Sequence, residues 1–329
     1  MLDVPVWLWT VFAAGVIAML TIDLLAHRKA HVIDFREAAR WSVVWVALSL
    51  VFAGVVWASL GSTAAVEFTT AWLLEKSLSV DNLFVFALIF GYFAVPKQYQ
   101  HRALFYGVIG ALVFRAIFIG AGVAIVSKFT AVLFVFAAIL LWSAYKLMKD
   151  DDSEYDPSTN IAVRLVRKLM PVQDEYVGAK FFVKQAGKWI ATPLFVVVVA
   201  IEAADLVFAV DSVPAVLAVS DDPFIVYSSN AFAILGLRAL YFLLSGMLDR
   251  FHYLSKALAV ILGFIGVKLI LQAAHHTIST AVPEIPSLVS LVVIVTLLTG
   301  AVVLSLLRKP TGEPADPAED RVPDRHPTA

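Results

Sequence analysis

No cysteine occurs anywhere in the 329 residues. That absence excludes a disulfide framework, a zinc–thiolate site and a redox dithiol. Charge is scarce as well: Asp, Glu, Lys and Arg together make up 16% of the chain, against 60% hydrophobic residues. A soluble globular chain carries about a quarter charged residues and about half apolar ones. With a mean hydropathy of +0.85, this sequence reads as a polytopic membrane protein. Neither sign of charge prevails, and a net charge of −1 excludes a generally basic nucleic-acid binder. The first hydrophobic run lacks a basic leader and a small-residue cleavage signal, so it reads as a retained helix.

What is present is a series of long apolar runs. Nine are long enough to span a bilayer, near 5–26, 41–60, 66–94, 103–126, 129–148, 191–219, 225–248, 256–278 and 286–307. Basic residues concentrate in alternate connections: Arg28, Lys29, Arg36 and Arg40 in the first, seven in 149–190, and four beyond 307. The intervening loops hold none except Lys128. By the positive-inside rule the N-terminus lies outside and the C-terminus in the cytoplasm.

The long connection 149–190 opens acidic (Asp150, Asp151, Asp152, Glu154, Asp156). That run lacks the glycine and the terminal glutamate of a calcium loop and reads as a solvated linker. Residues 161–169 follow as an amphipathic helix suited to the anionic inner leaflet. Lys180–Lys184 and Lys188–Ala191, around Gln-Ala-Gly, predict a β-hairpin. Residues 308–329, proline-rich and nearly free of apolar side chains, read as a disordered tail.

The chain is organised around Glu75-Lys76-Ser77-Leu78-Ser79-Val80-Asp81-Asn82, set in the middle of a spanning run. A charge at that depth costs about 2.5–3.5 kcal/mol on insertion scales, so buried acids there point to function. Ile201–Ser212 repeats the pattern: Glu75 to Asp81 and Asp205 to Asp211 are both six-residue steps, each ending Val-Asp followed by Asn or Ser. The likeness continues. Leu112-Val113-Phe114-Arg115-Ala116-Ile117-Phe118 matches Leu235-Gly236-Leu237-Arg238-Ala239-Leu240-Tyr241, and Lys146-Leu147 matches Lys268-Leu269. Spans 3–5 therefore correspond to spans 6–8. Three crossings are an odd number, so the second copy enters from the opposite side. Inverted repeats with polar motifs at matching depths are the mark of a secondary transporter whose site lies at the repeat interface.

The predicted architecture is all-α, with about nine transmembrane helices and an inverted 3+3 repeat. Residues 1–60 supply two helices, 61–148 the first repeat, 149–190 the cytoplasmic loop, 191–278 the second repeat, 279–307 a last helix and 308–329 the tail. Glu75, Asp81, Asn82, Glu202, Asp205 and Asp211 are the candidate ligands, with Lys76, Arg115 and Arg238 as counter-ions. Carboxylate and amide oxygens are hard ligands that suit manganese, magnesium or calcium, while zinc and copper prefer the nitrogen and sulfur ligands missing at this depth. Glu202 and Asp205 share a helix face. Pro214, by denying Val210 a helical bond, is expected to break the helix near 210–211 and turn Asp211 inward.

Plainer readings stand beside this one. The acids can be structural ion pairs, Asp81 or Glu75 with Arg115, and Asp205 or Asp211 with Arg238. Lys76 can offset charge or snorkel, Asp23 can be interfacial, Glu67 reads as an outer-surface residue, and His275 and His276, near an outer helix end, read as interfacial. The aromatic residues read as lipid-facing or belt residues. No Gly-x-Gly-Asp motif supports an intramembrane aspartyl protease, and no enzyme activity is expected.

These motifs resemble the TerC/Alx family of bacterial inner-membrane proteins. Glu75–Asn82, Phe208–Ala215, Asp222–Val226 and Ser229–Ala239 carry the likeness, which covers roughly residues 5–307. Thr21–Leu25 and Trp41–Trp45 are closest to the Alx branch. The resemblance implies manganese export and, for some members, tellurite resistance. It implies Mn²⁺ as cargo, with no resident cofactor, and the five acids as membrane ligands. The expectation is a multi-pass inner-membrane exporter of a divalent cation working by alternating access in exchange for protons. Its partners are lipid, the ion and protons, with no nucleic acid. Oxyanion handling through Arg115 and Arg238, and a non-transporting assembly role for the 149–190 loop, are the alternatives.

Overall fold

The computed structural model describes residues 3–26, 33–149, 161–185, 187–245 and 253–307. The acidic run 150–156 and the tail 308–329 lie outside the described residues. Among the described residues eleven helices and one hairpin follow in order: α1 Val6–Ala26, α2 Phe35–Leu60, α3 Ser62–Tyr92, α4 Lys97–Lys128, α5 Val132–Lys149 and α6 Ile161–Leu169. The strands β1 Phe182–Gln185 and β2 Lys188–Ala191 come next, then α7 Pro193–Leu217, α8 Pro223–Leu235, α9 Leu237–Leu244, α10 Leu254–Thr277 and α11 Ser287–Leu307. The chain is an all-α polytopic membrane protein. Among the described residues, eight spans, with α8 and α9 taken as one, are long and apolar enough to cross a membrane. The 31-residue α3 is long enough too. It carries Glu67, Glu75, Lys76 and Asp81, three of its four charges being carboxylates.

Several helix ends have visible local causes. Gly61, at φ +90°, joins α2 to α3 through a single residue, in a backbone region that a side chain disfavours. Asp222 caps α8, its Oδ1 accepting from the amides of Phe224 and Ile225, and Pro223 supplies the preset first-turn φ. The span expected near 225–248 is found as Pro223–Leu244, made of two helices in line. It divides at Gly236, and 246–248 lie outside the described residues. Contrary to expectation, Pro214 does not break α7, which continues to Leu217 with the proline inside it. A proline removes one N–H, and neighbouring turns in a packed membrane helix absorb that loss as a bend.

Packing follows a pattern of exchange. α5 lies along α10, α4 packs against α7, and α3 packs against α8. Swapping α3 with α7, α4 with α8–α9, and α5 with α10 maps these pairings onto one another. Aromatic rings, expected at the lipid surface, also fill the interior. Phe52 stacks on Phe232 with centroids 4.4 Å apart, and Phe68, Phe224, Trp45 and Trp72 are buried with them between α2, α3 and α8. Trp57 and Trp142 remain exposed, as lipid-facing residues are. The rings fill the space where α1 and α2 pack against α3 and α8.

In the described part of the long connection α6 spans Ile161–Leu169, and the hairpin has the register Gln185↔Lys188 to Phe182↔Ala191, its first strand starting two residues after the expected Lys180. α6 buries Val163 against the bundle and leaves Ile161, Leu165 and Leu169 exposed on one stripe. Tyr176 Oη donates to the Phe93 carbonyl at 2.8 Å, fixing this segment to the end of α3. Burial pushes the Tyr176 hydroxyl up to about 12, so it stays protonated and able to donate.

Candidate functional site: carboxylates about Arg115

α3 and α7 run in opposite directions. The first turns of α3 and the residues after α7 line one cavity, while the end of α3 meets the segment that leads into α7. Glu75 and Asp205, each near the middle of its helix, therefore reach the same depth. Arg115 of α4 joins them. Its Nη1 donates to Glu75 Oε1, and its Nη2 and Nε donate to the two oxygens of Asp205 at 3.0 and 3.3 Å. Nη1 also donates to Ser212 Oγ at 3.0 Å. The planar guanidinium matches this paired geometry, which a lysine would not. All three charged side chains are buried. One cation faces two anions, and Glu75 Oε2 has no hydrogen-bond partner.

Of the other acids, Glu202 lies within a turn of this level and the two remaining aspartates lie above and below it. Glu202, one turn before Asp205 on α7, packs its carboxylate against Gly110 of α4. Its Oε2 is buried and without a partner. Six residues of helix advance about 9 Å. Asp81 therefore sits about that far beyond Glu75 toward the hairpin end, and Asp211 about that far beyond Asp205 toward the opposite end. Asp81 accepts from Ser255 of α10 at 3.1 Å. Asp211 accepts from Ser143 of α5 at 2.6 Å. Asp81 of α3 is thus held by α10, and Asp211 of α7 by α5. The carboxylates form a file at three depths, arranged about Arg115.

This is not one shell of six ligands. Among the described residues no three Asp, Glu or His side chains gather as a metal cage. Glu75 and Asp205 come together on Arg115, while Asp81 and Asp211 rest on serines at separate levels. Asn82 is buried beside Asp81 in sequence. Lys76, read as a snorkelling or charge-offsetting residue, instead donates to the Ala233 carbonyl at 3.0 Å, satisfying an acceptor in the last turn of α8. Arg238 pairs with Asp23 of α1, not with Asp205 or Asp211. Asp23 is buried rather than interfacial, and their bond fixes an N-terminal helix to α9.

Sequence reasoning did not find Ser143, Ser255 or Gly110. Each is a small residue in an apolar run, and its role depends on which helix lies opposite. Glu67, read as a surface residue, accepts from Ser220 at 2.7 Å inside a cavity. The unpartnered buried oxygens of Glu75 and Glu202 are hard acceptors, able to hold a proton or contribute to binding a hard cation.

Residues 60–313 match the integral membrane protein TerC family. The chain is 44% identical to "Uncharacterized membrane protein STKORF319" of Myxococcus xanthus over 92% of both chains. It is equally similar, at 44%, to "Putative membrane-bound redox modulator Alx" of Salmonella typhi, over 91% of this chain and 93% of that one. The protein of the same name from Escherichia coli strain K12 is also 44% identical, over 87% and 90%. No solved structure matches. On this match and these identities, the chain belongs to the TerC family of integral membrane proteins.

Proposed function

We propose that the protein exports a divalent cation, Mn²⁺, from the cytoplasm by alternating access of two inverted units, 61–148 and 191–278, in exchange for protons. The observation that carries this reading is the file of carboxylates: Asp81, then Glu75 with Glu202 and Asp205, then Asp211. A cation moving along the file passes from one acid level to the next in steps of about 9 Å. At the middle level it exchanges with the Arg115 guanidinium, which already pairs with Glu75 and Asp205. The exchange of helix pairings, α4 with α7 and α3 with α8, supports two units related by inversion and able to rock about the centre. Alternate making and breaking of Asp81–Ser255 and Asp211–Ser143 opens one end while the other is held. Protons are the natural counter-cargo, because clustered acids share protons that an arriving cation displaces.

The relatives named as redox modulators bear on this reading. With no cysteine in the chain, a redox effect would arise from the cellular level of a redox-active metal rather than from thiol chemistry. The test is cellular manganese. Cells expressing the protein should retain less Mn²⁺ after a load, and Asp81→Asn or Asp211→Asn should remove the effect. Full activity in both variants would place the ion path elsewhere.

A further inference from the structure

At the end of the bundle opposite the hairpin, the first turns of α3, the residues after α7, the second half of α10 and the start of α11 enclose a cavity of about 700 Å³. It adjoins a second of about 340 Å³ that shares Asp221, Gln272 and His276. Glu67, Asp221 and Glu284 line the main cavity with Lys268. The carboxylates are spread over three elements, and no cage of three ligands forms among the described residues. Two features show that the cavity is built for something more than packing. Lys268 is 5% exposed, faces the cavity, and among the described residues makes no hydrogen bond or ion pair. Gln272 Oε1 is buried without a hydrogen-bond partner. A near-buried ammonium without a contact is unfavourable unless the space before it holds water and opposite charge.

Glu67 also continues the carboxylate file. It lies on α3 about 12 Å beyond Glu75, in the direction away from Asp81. An ion with six waters occupies about 180 Å³ at ~30 Å³ per water, which the cavity accommodates with room to spare. Ions of the Mg²⁺ type keep several waters when few ligands converge on them.

We propose that this cavity is a low-affinity receiving site for a hydrated divalent cation, held through its water shell by Glu67 and Asp221 and kept loosely bound by the Lys268 ammonium. The inference rests on the export reading for its purpose, but binding is measured without transport. An exporter needs its last site to be weak, and a fixed positive charge beside the acids makes it so. Lys268 therefore acts as a positioning residue that sets affinity, and not as a ligand.

The test uses the full chain in lipid nanodiscs with a nitroxide on Ser62→Cys, at the cavity rim, in a sequence with no other cysteine. Mn²⁺ should broaden the nitroxide signal, and hexaamminecobalt(III), which cannot shed its ligand shell, should relieve the broadening by competition. Glu67→Gln should weaken the Mn²⁺ midpoint about tenfold and Lys268→Gln should tighten it about tenfold, the change expected for one unit charge nearby. Lys268→Arg, which keeps the charge, should leave the midpoint where it is in the parent. Failure of hexaamminecobalt(III) to compete would overturn outer-sphere binding. A midpoint unmoved by Lys268→Gln in a chain that still folds would overturn the role of the ammonium. Normal competition in a chain that moves no manganese would uphold the cavity site and overturn the export reading alone.

Discussion

Gly110 of α4 lies directly against the carboxylate of Glu202 on α7, so closely that a methyl group at position 110 would overlap it. The glycine is there to admit an acid into a helix–helix contact, as small residues do at membrane helix interfaces. Gly110→Ala should therefore displace Glu202 and cost about 1–3 kcal/mol by overpacking, read as a lower unfolding midpoint in detergent. Glu202→Ala in the same background should restore most of the loss. An unchanged midpoint in Gly110→Ala would mean that the carboxylate has somewhere else to go.

Arg115 holds Glu75 and Asp205 together between α3, α4 and α7. Removing one partner of a buried ion pair costs about 3–5 kcal/mol, because the remaining charge is left uncompensated. Arg115→Met should destabilise the fold by that amount, and Arg115→Lys by less, since it keeps charge without the fork. The triple replacement Glu75→Gln, Arg115→Met and Asp205→Asn should be more stable than Arg115→Met alone. Chemical denaturation of the three proteins orders them, and the reverse order would refute the pairing.

Lys76 donates to the Ala233 carbonyl where α8 gives way to α9. Lys76→Met leaves a buried acceptor unsatisfied, at about 1–3 kcal/mol. Hydrogen exchange across residues 233–240 should accelerate in that variant while the 182–191 hairpin is unaffected. Uniform acceleration throughout the chain would point to general unfolding instead.

The serines at Asp81 and Asp211 sit at opposite ends of the file. Hydrogen bonds to charged groups are worth about 1.5–3 kcal/mol, enough to shift a two-state equilibrium tenfold or more. Ser143→Ala should raise, and Ser255→Ala lower, the thiol labelling of Leu217→Cys, which is buried beside the smaller cavity. Equal labelling in both would show that the two bonds do not oppose one another.

Much of the fold was legible in the sequence because the bilayer imposes a simple rule: long apolar runs become helices. The α6 helix and the hairpin were readable from local periodicity and a glycine turn. Partner choice was not. Arg115 and Arg238 occupy matching places in the two motifs, yet Arg115 meets Glu75 and Asp205 while Arg238 meets Asp23 from the first helix. A motif fixes where on a helix a charge lies, whereas its partner depends on which helix packs alongside. Gly236 shows the same limit, since a lone glycine within a spanning run is not by itself a stop and the break appears only with Lys76 and Trp45 against it.

The central claim is tested most directly with purified protein in liposomes holding a manganese-quenched dye, with a proton gradient set across the bilayer. The account predicts Mn²⁺ flux that depends on the gradient and is absent in Asp81→Asn and Asp211→Asn, with both variants folded. No flux in the parent protein, or full flux in both variants, would contradict it.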